Sequence, residues 1–204
     1  MDRLMPFDEL SVMSERIKAD FQLTPEQRKA VKEDRMDEIL ELLILSYLYG
    51  NEAANDMLYR AEIETRMQSE TETIRIVPID TDSMNGSVYR DIAGENWEQR
   101  VSDYYDSEDG TADDVIRVLD TDSHRIYNDA IEDVGERSSG RIYKTWETML
   151  DDRVRDTHAY LEGMTIPIDR RFYSYNGQSA RYPGDFGTPE MDCNCRCRIE
   201  LSRR

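Results

Sequence analysis

The sequence lacks a long apolar run, which excludes a membrane-spanning helix. No segment approaches the roughly 20 apolar residues that a helix needs to cross a bilayer. The first seven residues, MDRLMPF, also lack the apolar core and cleavage site of a signal peptide. We therefore expect a protein that is made in the cytosol and has no membrane partner.

Basic residues are scarce relative to acidic ones. The 204 residues include 26 Lys and Arg against 44 Asp and Glu, a formal net charge of −18. DNA phosphates repel such a chain, so the composition argues against direct DNA binding. Residues 140–204 are nearly balanced, with 11 basic and 10 acidic side chains, so the acidic excess lies in residues 1–139. That part is interpreted as a solvated acidic surface, or as an acidic arm that docks on a basic neighbour or avoids packaged DNA.

Cysteine is rare, and its pattern excludes a disulfide framework. The three cysteines, Cys193, Cys195 and Cys197, are odd in number and lie within five residues. They can be small buried apolar side chains, redox-active or cross-linking thiols, or ligands of a zinc ion together with His158. The Cys-x-Cys spacing favours the first reading, because structural zinc sites usually use Cys-x2-4-Cys loops. Zinc is the one cofactor that the sequence suggests.

Apolar residues at intervals of three and four predict helices in residues 1–66. Thr24 can cap a helix that begins at Pro25, with a glutamine three residues after the cap. Gly50 is placed to end that helix in a left-handed cap and Asn51 to begin another, which predicts a helical hairpin or a bent pair. The apolar stretch from Leu40 to Tyr49 is interpreted as core, with a partner surface as the alternative.

Residues 67–139 are predicted to form a mixed connecting region. The predicted elements are a strand at Thr71–Val77 limited by Pro78, a turn at Ser83–Ser87, helices at Trp97–Tyr105 and Ala112–Val134, and a polar loop at Gly135–Gly140. His124 lies in the second of these helices, where a solvent-exposed or capping role is expected.

Residues 140–204 are richer in glycine, proline and aromatic residues. The sequence predicts a strand at Ile142–Met149, a short helical turn at Asp156–Leu161 and a terminal strand at Met191–Leu201. That last strand would place the three cysteines and Ile199 on one face. The expected class is therefore α+β, with a helical arm or platform in residues 1–66, a connecting region in 67–139, and a small mixed α/β module with long loops in 140–204.

Asp152, Arg155 and His158 recur every third residue, so on a helical turn they would share one face. This pattern indicates a charge-assisted hydrogen-bond network, a ligand or metal site, or acid–base chemistry of the kind found in nucleases. Arg196 would point away from the cysteine face and could pair with Asp152 or meet a partner. The basic tail that it forms with the last arginines is a solvated end, or a contact for DNA or an acidic partner.

An ordered set of motifs occupies the last third of the chain. In chain order they are the segment YKTWET at 143–148, Asp152-Arg153-Val154-Arg155, His158, Leu161, Gly163, Phe172, Pro183, Pro189 and Asn194-Cys195-Arg196-Cys197. This order strongly resembles the C-terminal signature of Mu F-like phage head-morphogenesis proteins. Upstream, Val115–Ala130 resembles the helix that precedes the signature, with Asp122, His124, Arg125 and Asn128 fitting. The resemblance covers roughly Val88 to Ile199, and Cys193 departs from it by standing where an apolar residue or proline is expected.

The resemblance implies a minor head, or minor capsid, protein that acts in virion assembly. Expected partners are the portal protein and the capsid or scaffold proteins, and the expected locations are the host cytoplasm during assembly and then the virion head. No catalytic residue is implied. The chain ends seven residues after Cys197, so we expect no toxin domain of the kind that some relatives carry. The residues expected to hold the module together or to form its contact site are Trp146, Asp152, Arg155, His158, Gly163, Asn194, Cys195, Arg196 and Cys197.

Two rival functions remain at this point. The candidate metal ligands His158, Cys193, Cys195 and Cys197, or a His–Asp pair, could serve a nuclease-like hydrolase. A protein that accompanies DNA ejection is the other rival, and the net charge of −18 disfavours it.

Overall fold

A computed structural model describes residues 7–66, 76–92 and 94–203. Five longer helices come first, and a small three-stranded sheet with long loops follows, which confirms the predicted α+β class. The elements are α1 (Phe7–Asp20), α2 (Pro25–Arg66), α3 (Thr81–Val88), α4 (Trp97–Asp106), α5 (Ala112–Arg137), β1 (Ile142–Glu147), α6 (Asp156–Ala159), β2 (Thr165–Pro167), β3 (Phe172–Tyr173), β4 (Ser179–Ala180), α7 (Pro189–Asp192) and β5 (Arg198–Arg203).

Helix α2 is one continuous helix of 42 residues, about 63 Å long at a rise of 1.5 Å per residue. The predicted break at Gly50 and the helical hairpin are therefore wrong. Gly50 lies against α5, where an added Cβ would sit 2.3 Å from the carbonyl oxygen of Tyr127. The glycine permits a close approach of two helices and does not end one. The start of α2 is as predicted, because Thr24 and Gln27 form the expected capping box.

The stretch from Leu40 to Tyr49 belongs to the core, as predicted. Leu42, Leu43 and Tyr47 are buried and join one apolar cluster that includes residues of α1, α5 and the sheet. The three-part division at residues 66 and 139 stays a prediction.

One prediction for the connecting region is wrong, and a second lies mostly outside the described residues. The segment Ser83–Ser87 forms no turn but belongs to α3, because Asp80 caps that helix by accepting from the backbone N–H of Asp82. Most of the strand predicted at Thr71–Val77 lies outside the described residues. In the described part, the backbone of Val77 pairs with the side-chain amide of Asn55 and not with a strand.

Helices α4 and α5 confirm the predicted helices, each with a capping box at its start, at Asn96 and at Thr111. The polar loop predicted from Gly135 is wrong for its first residues, because α5 continues to Arg137. Gly135 lies inside the helix, where an added Cβ would meet the side chain of Ile168 at 2.6 Å.

The sheet has the strand order β2–β1–β5, and both pairings are antiparallel. The predicted strand at Ile142–Met149 is confirmed as β1, and its buried residues alternate, as expected for a strand with one covered face. Trp146 lies opposite Ile199, and Lys144 lies opposite Leu201. Strand β5 thereby pairs residues 198–203 with β1.

Helix α5 packs against both α2 and the sheet, and one buried ion pair crosses from it to β1. The ammonium of Lys144 donates to the carboxylate of Glu132, and neither side chain is more than 1% exposed.

Within residues 7–66, 76–92 and 94–203, no helix has the length and apolar composition that a membrane crossing requires.

Candidate functional site

Trp146 stands at the centre of the C-terminal module. It is fully buried on β1, and its ring meets those of Phe172 and Phe186 edge-on at centroid distances of 5.2 and 5.9 Å. The imidazole of His158 also meets Trp146 edge-on, at 5.6 Å, and stacks on Phe186 at 5.5 Å. Offset and edge-on contacts of this kind stabilise aromatic clusters. Trp146 therefore holds the surrounding loops together from inside.

His158 meets two of the three cysteines. Its Nδ1 lies 3.5 Å from the sulfur of Cys195 and 3.4 Å from the sulfur of Cys197. All three side chains are buried, and their candidate ligand atoms lie within 4.8 Å of one another. We call these three residues the His–Cys cluster. In the described part of the chain, Nε2 of His158 has no hydrogen-bond partner, so the ring relies on Nδ1 for its polar contacts.

The cysteines do not lie on a strand, contrary to prediction. Strand β5 begins at Arg198, after the last cysteine, and Cys193 is the residue that ends α7. Asn194 then adopts a left-handed backbone conformation with φ of 54°, which asparagine tolerates better than most residues. This turn directs Cys195 and Cys197 toward His158. Cys193 is half-buried and outside the cluster, so the structure brings together three of the four predicted candidate ligands.

The two clustered thiols have opposite pKa shifts. A hydrogen bond from the Cys195 thiol lowers the pKa of Cys197 to about 5, against the effect of burial, and His158 adds to the lowering. The same hydrogen bond, together with burial, raises the pKa of Cys195 well above its usual range. The two opposite pKa shifts therefore share one cause, the hydrogen bond in which Cys195 is the donor and Cys197 the acceptor.

The predicted network of Asp152, Arg155 and His158 does not form. Helix α6 begins only at Asp156, with Arg155 as its N-cap, so Asp152 lies outside the helix and is exposed. Arg155 donates instead to the carbonyl oxygen of Cys193. Three-residue spacing predicts a common face only within a helix, and here the helix is too short.

Arg196 pairs with Asp151 and not with Asp152. Its two terminal nitrogens donate to the two carboxylate oxygens of Asp151 at 2.8 and 2.7 Å. Solvent reaches this ion pair, because both side chains are about one-third exposed. This fork-shaped pair ties the loop after β1 to the Asn-Cys-Arg-Cys segment.

Gly163 closes the turn after α6. It has φ of 69°, in the left-handed region that favours glycine, and its N–H donates to the carbonyl oxygen of Trp146 at 2.8 Å. The conformational requirement explains a glycine at this place in the motif.

Helix α5 holds the cysteine segment from the other side. Asn128 is fully buried; its amide oxygen accepts from the N–H of Ile199 at 3.0 Å, and its amide nitrogen donates to the carbonyl oxygen of Cys197 at 3.4 Å. Nε2 of His124 also bonds that carbonyl oxygen, so the exposed or capping role expected for His124 is wrong. Burial lowers the pKa of His124 to about 4, and the hydrogen bond to Cys197 opposes the shift. The sequence signals for this role were the i, i+4 spacing of the two residues on one helix and their fit to the helix that precedes the family signature.

We expect Asn128→Ala to lower the free energy of unfolding by about 1–3 kcal/mol, because it leaves the buried N–H of Ile199 without its acceptor. Urea unfolding of the full chain measures this loss. Asn176→Ala is the matched control, because Asn176 is exposed and bonds mainly to Gln178 in its own turn, with one weak contact to the sulfur of Met191. Equal losses in the two variants would show that Asn128 does not anchor the strand.

Two aspartates that sequence reasoning missed anchor the proline- and glycine-rich loops. Asp192 accepts from the backbone N–H groups of Phe186, Gly187 and Thr188. Asp185 is buried and pairs with Arg90 and Arg171. The sequence analysis marked neither residue, because Asp192 bonds backbone groups and Asp185 pairs with Arg90 and Arg171, which lie 95 and 14 residues before it.

Residues 82–200, from α3 to β5, match the phage Mu protein F like protein family. The chain belongs to this family. The matched part contains every motif residue described above, and it begins after α1 and α2.

Two curated proteins are similar to this Mu F-like chain. The minor head protein GP7 of Bacillus phage SPP1 is 32% identical over 81 residues, which are 39% of this chain and 26% of GP7. The NAD(+)–arginine ADP-ribosyltransferase EFV of Enterococcus faecalis is 39% identical over 56 residues, which are 28% of this chain and 11% of that protein. The matches therefore span about a quarter and about a tenth of these relatives. No solved structure gives a significant match to the chain.

Proposed function

We propose that this Mu F-like protein is a minor head protein that acts in head morphogenesis by binding the portal protein or a neighbouring capsid or scaffold protein. The observation that carries the proposal is the family match over residues 82–200, supported by the similarity to the SPP1 minor head protein. The protein would assemble in the host cytoplasm and then reside in the virion head.

The burial of the motif residues suggests that buried side chains stabilise the module, while exposed side chains on the same loops contact the partner. Trp146, His158, Cys195 and Cys197 are buried, so they stabilise the module and cannot themselves contact a partner. The surface of the same loops instead carries large apolar side chains. Exposed residues of this kind are Met149, Leu150, Tyr160, Tyr173 and Tyr175.

One residue and one pair among these side chains are suited to a protein contact. Leu150 is 79% exposed and adopts φ of 52°, a conformation that leucine rarely takes. Tyr160 and Tyr175 are 54% and 61% exposed, and their rings touch edge-on at 5.7 Å. Exposed aromatic side chains on loops that a rigid core supports are typical of binding surfaces.

A binding role has more support than the hydrolase alternative. Asp152 lies outside α6, so the arrangement of Asp152 and His158 on one helical face does not exist. The similarity to the ADP-ribosyltransferase covers only 11% of that protein. A match of this extent does not support transferase activity in this chain. The acidic excess in residues 1–139 also disfavours a DNA-ejection role that depends on coating DNA.

Quantitative mass spectrometry of purified particles from the phage or prophage that encodes this chain tests the proposal. We expect the protein in mature particles at a low copy number relative to the major capsid protein. Its absence from particles, with abundant protein in the producing cells, would contradict residence in the head and indicate a transient assembly factor or an enzyme.

We expect the double substitution Tyr160→Ser with Tyr175→Ser to reduce incorporation about tenfold or more, because exposed aromatic anchors dominate protein interfaces. The copy number per particle is measured as above, and circular dichroism checks the fold. Tyr59→Ser is the matched control, because Tyr59 is a 47% exposed tyrosine on α2, outside the family match. Equal incorporation of both folded variants would show that the tyrosine pair is not the contact.

A further inference from the structure

We propose that the His–Cys cluster binds a zinc ion through Nδ1 of His158 and the sulfurs of Cys195 and Cys197. The cluster joins α6 to the Asn-Cys-Arg-Cys segment, 37 and 39 residues further along the chain. The inference goes beyond the proposed function and does not depend on it.

The spacing of the ligand atoms fits a tetrahedral zinc site. Zinc–sulfur bonds of about 2.3 Å and zinc–nitrogen bonds of about 2.0–2.1 Å at tetrahedral angles place a nitrogen and a sulfur ligand about 3.5 Å apart. Nδ1 of His158 lies 3.5 and 3.4 Å from the two sulfurs. One ring nitrogen makes one good hydrogen bond, yet both sulfurs converge on the same atom. A shared metal ion accounts for this convergence.

The cluster also borders a space for a fourth ligand. A cavity of about 10 Å³ is lined by His158, Cys195 and Cys197 together with Met149 and Asn194. That volume is close to the minimum that holds one water molecule. Structural zinc sites usually have four protein ligands, and sites with three keep a water molecule in the fourth position; the ion proposed here joins two segments of the module, and no reaction is assigned to it.

The chemical environment favours metal binding by the thiols. Zinc needs the thiolate form, and nearby guanidinium groups stabilise thiolates. Arg155 and Arg196 line the same cavity. Both are held in place, Arg155 by the carbonyl oxygen of Cys193 and Arg196 by Asp151. Two thiolates and an imidazole select zinc over the hard cations magnesium and calcium.

Bound zinc would cross-link the module as a disulfide does in secreted proteins. The metal would bind only the folded arrangement, so its binding free energy would stabilise the folded state. It would fix α6 and the terminal segment on either side of the loops that carry the exposed tyrosines.

Elemental analysis of the full chain, purified in reducing buffer without chelator, tests the proposal. We expect about one zinc ion per chain, and its loss in Cys195→Ser and in Cys197→Ser. Cys193→Ser is the matched control and should keep its zinc, because Cys193 lies outside the cluster. Wild-type protein without zinc, or zinc that persists in both Cys195→Ser and Cys197→Ser, would overturn the proposal.

A second measurement covers the case in which the two variants fail to fold. Wild-type chain stripped of metal is titrated with cobalt(II), whose absorption reports tetrahedral geometry and thiolate ligation. We expect a sharp end point at about one cobalt per chain, with the same spectrum for Cys193→Ser. No thiolate-to-cobalt band, or a band that disappears in Cys193→Ser, would overturn the proposed ligand set.

Discussion

Removing either partner of the buried Lys144–Glu132 ion pair is expected to lower the free energy of unfolding by about 3–5 kcal/mol near neutral pH. Both side chains are essentially without solvent contact, and the pair joins β1 to α5. Lys144→Met leaves the buried carboxyl of Glu132 without its cation, and Glu132→Gln leaves the buried amine of Lys144 without its anion, so each remaining group must stay charged without a partner or change its protonation state at a cost in stability. Urea unfolding followed by circular dichroism measures both losses.

The two variants should depend on pH in opposite directions. Burial raises the pKa of Glu132 to about 8, and Lys144 opposes that shift. In Lys144→Met the folded chain therefore holds a proton on Glu132 that the unfolded chain has lost, and stability falls as pH rises above the ordinary pKa of 4.5. Burial lowers the pKa of Lys144, and Glu132 opposes that shift. In Glu132→Gln the unfolded chain binds the extra proton, so stability rises toward the ordinary pKa of 10.5.

Two controls separate the ion pair from general effects. Lys32→Met removes the partly exposed Lys32–Asp106 pair, for which the expected loss is about 0–1 kcal/mol. The double substitution Lys144→Met with Glu132→Leu removes both buried charges and should recover most of the lost stability. A single-variant loss no larger than that of Lys32→Met, or parallel pH profiles, would contradict the burial argument.

The sequence predicts what depends on local patterns and misses what depends on distant partners. The capped helices, β1 and the α+β class follow from capping residues and from apolar periodicity within one segment. The same reasoning misplaces Gly50 and the Ser83–Ser87 segment, because glycine and Asn-Gly are turn signals only where no packing or cap overrides them.

The candidate site shows the same limit. The motif order identifies Trp146, His158, Cys195 and Cys197, and the structure brings these four together. Their geometry was predicted incorrectly, because a strand was expected where Asn194 makes a left-handed turn. Asp185 was missed because its partner Arg90 lies 95 residues before it, and Asp192 because its partners are nearby backbone N–H groups, which no side-chain pattern marks.

Gly50→Ala is expected to lower the free energy of unfolding by about 2–3 kcal/mol, although alanine is the better helix former by about 1 kcal/mol. Gly50 has no positive φ, so alanine fits its backbone conformation. The obstacle is the neighbouring helix, where the new Cβ would lie 2.3 Å from the carbonyl oxygen of Tyr127 and 2.9 Å from Cβ of Ala130. A backbone carbonyl cannot rotate away as a side chain can, so α2 and α5 must separate.

Gly86→Ala is the matched control, and its effect should have the opposite sign. Gly86 lies in α3, and an added Cβ there would meet nothing within 4 Å. Without a steric cost, only the helix propensity changes, and we expect a gain of about 0.5–1 kcal/mol. Urea unfolding of both variants with wild type measures the two effects. A gain in stability for Gly50→Ala equal to that for Gly86→Ala would show that α2 and α5 do not approach as closely as the structure indicates, because helix propensity alone would then decide both results.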